Sequence, residues 1–256
     1  MNRWTQYAYL TFVYLFLYAP LGLLIVYSFN TATYSLLWHG FTFAWYKTLL
    51  ADSNLANVAL HSLEVGLLTA TFATGIGIIT ATCFYRYRFF ARKFLHSLMF
   101  ILIVMPDLVL GIAFLILFTV LKIEPGFCTL LLAHTMLCAP FVTVTIFSRL
   151  SSFDQQLFEA ARDLGANELI ILWRIILPLV LPAILAGWLL SFTLSLDDVM
   201  ISFFVTGPDF QTLPLYIYSL VRLGINPELN ALCSVVFALT LCAVISAHIF
   251  LTRKKI

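Results

Sequence analysis

Charge is what this chain has least of. Only 10% of its 256 residues are Asp, Glu, Lys or Arg, where a soluble domain carries about 25%. With 62% of residues hydrophobic, a solvated surface cannot be built all round, and a soluble globular domain is excluded. The apolar stretches recur along the whole length, the pattern of a polytopic membrane protein. Cysteine is sparse and unordered: Cys83, Cys128, Cys138, Cys233 and Cys242 lie in or at the ends of apolar runs, and no CxxC pair occurs. The five histidines are scattered, so no metal site is expected. There is no GxxxxGK[ST] phosphate loop, so no ATPase is expected on this chain, and no residue is assigned a catalytic role. A net charge of +2 gives no nucleic-acid footprint.

What is present is long apolar runs. Six segments reach the ~20 residues a crossing needs, at roughly 8–29, 59–82, 94–121, 127–147, 175–201 and 229–251. The first exceeds the 7–15 residues, roughly, of a signal-peptide core and reads as a retained helix. Orientation follows from Lys and Arg. With the N-terminus inside, the inner side holds Arg3, Arg86, Arg88, Arg92, Lys93, Arg149, Arg162, Arg174, Arg253, Lys254 and Lys255, which is eleven of the fourteen. Only Lys47, Lys122 and Arg222 fall outside. Both termini are therefore expected in the cytoplasm, on a single transmembrane domain spanning 1–256.

The longest inner segment, 148–178, begins "SRLSSFDQQLFEAARDLGANELIILWRIIL". Ser152 with Gln155 fits a capping box, Gly165 a helix C′ position and Asn167 an N-cap. The expected shape is helix, tight turn, helix. Leu157, Ala161 and Leu164 fall at helical spacing with Phe158 alongside. That face would rest on lipid headgroups or fit a partner's groove.

Within it, "EAARDLGANELIILWRIILP" resembles the EAA loop of ABC-importer permeases. The match covers Glu159, Ala160, Ala161, Gly165, Ile175, Leu177 and Pro178. The resemblance implies the type I, MetI-like, all-α fold with six transmembrane helices. It implies that the loop docks in a cleft of a separate cytoplasmic ATPase, Glu159 pairing with a basic residue there and Gly165 permitting the turn. ATP and Mg²⁺ would be bound by that ATPase, and no cofactor by this chain.

Four acids fall inside the expected spans: Glu64, Asp107, Asp197 and Asp198. At ~1.5 Å per residue, Asp107 sits roughly 20 Å and Asp197 roughly 28 Å from the inner edge, with Glu64 near the outer end of its span. Each has a bland alternative. Glu64 would be interfacial, and Asp107 would satisfy backbone freed by Pro106. One of Asp197 and Asp198, about 100° apart on a regular helix, would cap a break or bond a neighbouring helix. Otherwise intramembrane acids mark a substrate path. No basic residue, counting Lys and Arg, lies in the spans to neutralise them, so a cationic substrate is expected. Ser195 would add a hydroxyl, and Trp45 a cation–π face or an interfacial anchor.

Four collinear stretches, at 104–115, 124–150, 187–208 and 213–232, resemble the polyamine (spermidine/putrescine) permeases of the same family. The likeness runs nearly the whole chain and is weakest before Lys47. It implies a bacterial inner-membrane subunit in a heterodimer with a second homologous permease. Its further partners would be two ATPase copies and a periplasmic polyamine-binding protein. The implied path is Asp107, Asp197, Asp198, Ser195 and Trp45, with Asp198 slightly favoured over Asp197 as direct contact. Glu168 would act in coupling or at the exit. The alternatives are a permease for another cationic or small organic solute, an ion-coupled secondary transporter, or a non-transporting scaffold.

Overall fold

A computed structural model of the protein describes residues 3–32, 37–154, 156–224 and 227–253, with backbone alone at 223, 243, 244 and 246–253. Gln155 of the expected capping box and Lys254 and Lys255 of the inner terminus lie outside these residues. The described chain is helical, with one isolated β-bridge between Asn30 and Phe41. The helices are α1 (Arg3–Tyr27), α2 (Ala44–Ala51), α3 (Ser53–Arg86), α4 (Arg92–Val104), α5 (Asp107–Val120), α6 (Phe127–Leu150), α7 (Gln156–Asp163), α8 (Glu168–Ile171), α9 (Leu177–Asp197), α10 (Met200–Val205), α11 (Leu213–Leu223) and α12 (Pro227–Arg253).

The chain forms two compact units, Met1–Ala56 with Ile217–Ile256, and Asn57–Tyr216. In the first, α12 packs on α1 and α2. Buried Asn30 braces the connection between α1 and α2: its amide donates to the Leu37 carbonyl, and its side-chain oxygen accepts from His39 N.

The second unit is held by close helix contacts rather than bulky interdigitation. Val142 of α6 fits between Gly77 of α3 and Gly187 of α9, where added Cβ atoms would lie 2.6 and 3.0 Å from its methyl carbon. Small residues that let backbones approach are the usual means of helix association in lipid, where no hydrophobic drive separates helix from tail. Gly111 does the same between α5 and α10, where a Cβ would come within 2.7 Å of the Phe204 ring. Around these contacts lie two apolar clusters, one centred on Val142, Ile146 and Ile176, the other on Leu110, Leu130 and Ile201.

One expected span is broken. The segment 94–121 is not a continuous helix: α4 and α5 meet at a bend of 113°. Pro106 disfavours the α conformation in the residue before it, and Met105 is extended, with φ −67° and ψ 135°. Among the described residues, four helices are long and apolar enough to cross a membrane, or five if α4 and α5 form one span. The apolar stretch Pro227–Cys242 of α12 is shorter.

Candidate functional site

Chain geometry separates the two neighbouring carboxylates. α9 ends at Asp197, and Asp198 leaves the helix with φ −68° and ψ 129° before α10 begins. That extended conformation suits an N-cap. The Asp198 carboxylate accepts from Ile201 N at 3.2 Å, Ser202 N at 2.8 Å and Ser202 Oγ at 2.9 Å. His134 of α6 completes the set, its Nε2 3.2 Å from Asp198 Oδ2 and its Nδ1 2.8 Å from Ser195 Oγ. Asp198 is 8% exposed and His134 fully buried.

An ionised Asp198 needs the Nε2 proton, which leaves Nδ1 of a neutral imidazole to accept from the Ser195 hydroxyl. Serine, histidine and aspartate in a row have the order of a hydrolytic triad. Here, however, the serine is buried and the carboxylate is committed to two backbone N–H groups. The cluster holds the α9–α10 break against α6.

Asp197 and Asp107 differ from it. Both are exposed, and neither forms an ion pair or a hydrogen bond with another side chain among the described residues. Asp107 opens α5 directly after the bend, and Asp197 is the last residue before the other break. The two lie close enough to interact electrostatically with each other and with Asp198. The structure thus brings Asp107, Asp197, Asp198 and Ser195 together. Asp198, slightly favoured from the sequence as the direct contact, has its lone pairs occupied and its side chain enclosed, whereas Asp197 is open. Glu64 stands exposed on α3 and joins none of these contacts. Trp45 belongs to the first unit, half-buried, its indole N–H donating to the Asn30 carbonyl at 2.9 Å.

Sequence reasoning missed His134 and Ser202. Counting Lys and Arg as the basic residues passed over a histidine in the middle of an expected span. An intramembrane histidine is itself a signal, since such groups pair with something.

The loop turns as its residues require. Gly165 has φ +82°. Ala166 N donates to Ala161 O and Gly165 N to Arg162 O, the paired bonds of a Schellman motif. Asn167 Oδ1 accepts from Ile170 N at 2.8 Å, capping α8. Ser152, the expected first cap, instead donates its hydroxyl to Arg149 O, and Asp154 accepts from Gln156 N. Between α8 and α9 lies a π-helical turn, Leu172–Ile176, in which Leu177 N reaches back to Leu172 O. It precedes Pro178, whose missing N–H and bulky ring disturb regular helix. Ile175 and Leu177 are half-buried there and Pro178 exposed.

The expected apolar ridge is redrawn. Phe158 and Ala161 turn inward, Phe158 against Tyr85. Leu157 and Leu164 are exposed, as are Glu159 and Ala160. Glu168 serves within the chain: it pairs with Arg86 at 2.6 Å and Arg162 at 2.9 Å and accepts from Tyr87 at 3.2 Å. It thereby ties α7 and α8 to the end of α3.

The chain belongs to the family of inner membrane components of binding-protein-dependent transport systems, whose model matches residues 73–253. It is 46% identical over 254 residues to the spermidine/putrescine transport system permease protein PotC of Escherichia coli K12, covering 99% of this chain and 96% of that protein. It is 41% identical over 228 residues to the putrescine transport system permease protein PotI of the same organism, covering 86% and 81%. Its fold matches a chain of a bacterial ABC transporter that imports alginate, with TM-score 0.71 and 17% identity over 99% of this chain and 96% of that one. A chain of the inward-facing MetNI methionine ABC transporter matches with TM-score 0.62 and 18% identity over 76% and 92%. The protein is accordingly an all-helical, multi-pass permease subunit of an ABC importer, a transport component rather than an enzyme, working with other components of such a system.

Proposed function

We propose that the chain forms half of the translocation path of an ATP-driven polyamine importer in the bacterial inner membrane. In this reading it carries six spans with both termini inside, and both compact units form one permease domain. It pairs with a homologous permease, two ATPase copies that bind ATP and Mg²⁺, and a periplasmic polyamine-binding protein. Asp107 and Asp197 are the substrate contacts, and the single observation that carries them is that both carboxylates are exposed at helix breaks without a cationic partner among the described residues. Spermidine spreads about three positive charges along a flexible chain, and acids from different helices suit it better than one tight cage. Asp198, Ser195 and His134 hold the second break in place. Trp45 and Glu64 are assigned to the outer part of the path. The exposed Glu159, Ala160, Leu157 and Leu164 face the ATPase, and Ala161, Gly165, Glu168, Ile175, Leu177 and Pro178 shape the loop.

The reading is supported by the identity to two polyamine permeases along most of the chain, together with the acids. Its test is uptake by the reconstituted complex in liposomes. ATP-dependent accumulation of spermidine or putrescine, in preference to a neutral or anionic solute, is expected. Uptake that follows the proton gradient without the ATPase would favour an ion-coupled carrier, and preference for a non-cationic solute would overturn the substrate.

A further inference from the structure

The basic run between α3 and α4 remains unused by the transport site. Arg86 is engaged with Glu168, but Arg88, Arg92 and Lys93 form no ion pair among the described residues. With His96 they line a pocket whose wall includes Phe89. Phe89 is also a wall of a second, open cavity of about 460 Å³, bordered by α3, α4 and α6 and lined by apolar side chains with three threonines. That volume is within the roughly 300–1,000 Å³ of small-molecule sites. Phe90, in the wall of the basic pocket, and Phe94 of α4 stand exposed.

An inner-side charge bias accounts for the cations, but not for an apolar cavity sharing a wall with them. Three cations within six residues repel one another unless an anion joins them. Guanidinium groups take phosphate oxygens in a bidentate fashion. Hydrocarbon fills an apolar cavity opening to a bilayer, and exposed phenylalanines settle at the boundary between headgroups and acyl chains. We infer that this corner binds one anionic phospholipid, its phosphate on Arg88, Arg92 and Lys93 and an acyl chain in the cavity formed by α3, α4 and α6. Basic pockets between membrane helices on the inner side are known to hold anionic headgroups. The inference rests on this helix end lying at the membrane surface and not on the identity of the transported solute.

The test is native mass spectrometry of the complete importer complex with phosphatidylglycerol and phosphatidylcholine, with inorganic phosphate as soluble competitor. Phosphatidylglycerol is expected to be retained over phosphatidylcholine on the order of a hundredfold, at roughly fivefold per cation. R88Q/R92Q/K93Q is expected to bring the two lipids to parity. L98W, at an exposed cavity-lining position, is expected to weaken retention of both lipids while the cations remain. Equal retention of both lipids by the wild type, or an unchanged preference in the triple variant, would overturn the proposal. So would displacement by inorganic phosphate at comparable concentration, which would assign the cations to free phosphate. Protection of the cavity by a subunit of the complex, seen as no lipid loss in L98W, would overturn it too. Transport assays are not the readout, so failure here is distinguishable from failure of the polyamine reading.

Discussion

At the scale of single residues, two adjacent aspartates have opposite environments, and the difference predicts opposite behaviour. Leaving a buried hydrogen-bonding group without its partner costs about 1–3 kcal/mol, more when a charge is involved, and loss of an N-cap about 0.5–2 kcal/mol. Asp198→Ala is therefore expected to lower the thermal midpoint of the purified complex sharply. Asp197→Asn, at an exposed position, should change stability by no more than about 0.5 kcal/mol. His134→Ala should resemble Asp198→Ala in thermal unfolding, because it leaves the same carboxylate without its imidazole partner. The double variant should cost less than the sum of the two, since both delete one network. An additive double variant would show that His134 and Asp198 act independently. That acids lie in the spans could be read from composition and hydropathy. Aspartate is an N-cap type, so a break capped by one of the pair was legible; which of the two does so was not, because it depends on where the helix ends and on the distant His134 of α6.

At the scale of elements, the loop and the broken span show where local sequence suffices. Gly165 and Asn167 carry their own conformational instructions, a positive φ and a side-chain cap, and both are found in the structure as expected. Pro106 gave notice of disturbed backbone, but a bend of 113° depends on how α5 packs against α10 through Gly111, a long-range contact. The inward turn of Phe158 and Ala161 likewise depends on Tyr85, distant in sequence. Gly165→Ala places a side chain at φ +82°, at a cost of roughly 1–2 kcal/mol. Its expected effect is weaker recovery of the ATPase in pull-down of the intact membrane complex, with the permease pair still assembled. Glu168→Arg should also weaken coupling, and Arg86→Glu added to it should restore part of the ATP-dependent uptake. No recovery in that reversed pair would argue against an internal clamp. Gly77→Val adds carbon where 2.6 Å is available and should destabilise by about 1–3 kcal/mol through overpacking.

For the whole molecule, the proposed function joins an energy input at the loop with two carboxylates at helix breaks that have no ion-pair partner among the described residues, both features belonging to the unit that ends in α10 and the start of α11. A buried histidine–aspartate clamp fixes one break, so the acid beside it can stay exposed without the helix end unravelling. The most direct measurement is the initial rate of ATP-driven spermidine uptake by proteoliposomes carrying the complete complex, with Asp107→Asn and Asp197→Asn compared with wild type at matched assembly. A hydrogen bond to a charged group contributes about 1.5–3 kcal/mol, so each variant is expected to reduce uptake at low spermidine by roughly ten- to a hundredfold, with unchanged thermal stability. Wild-type uptake by both variants would contradict a cation path through these carboxylates.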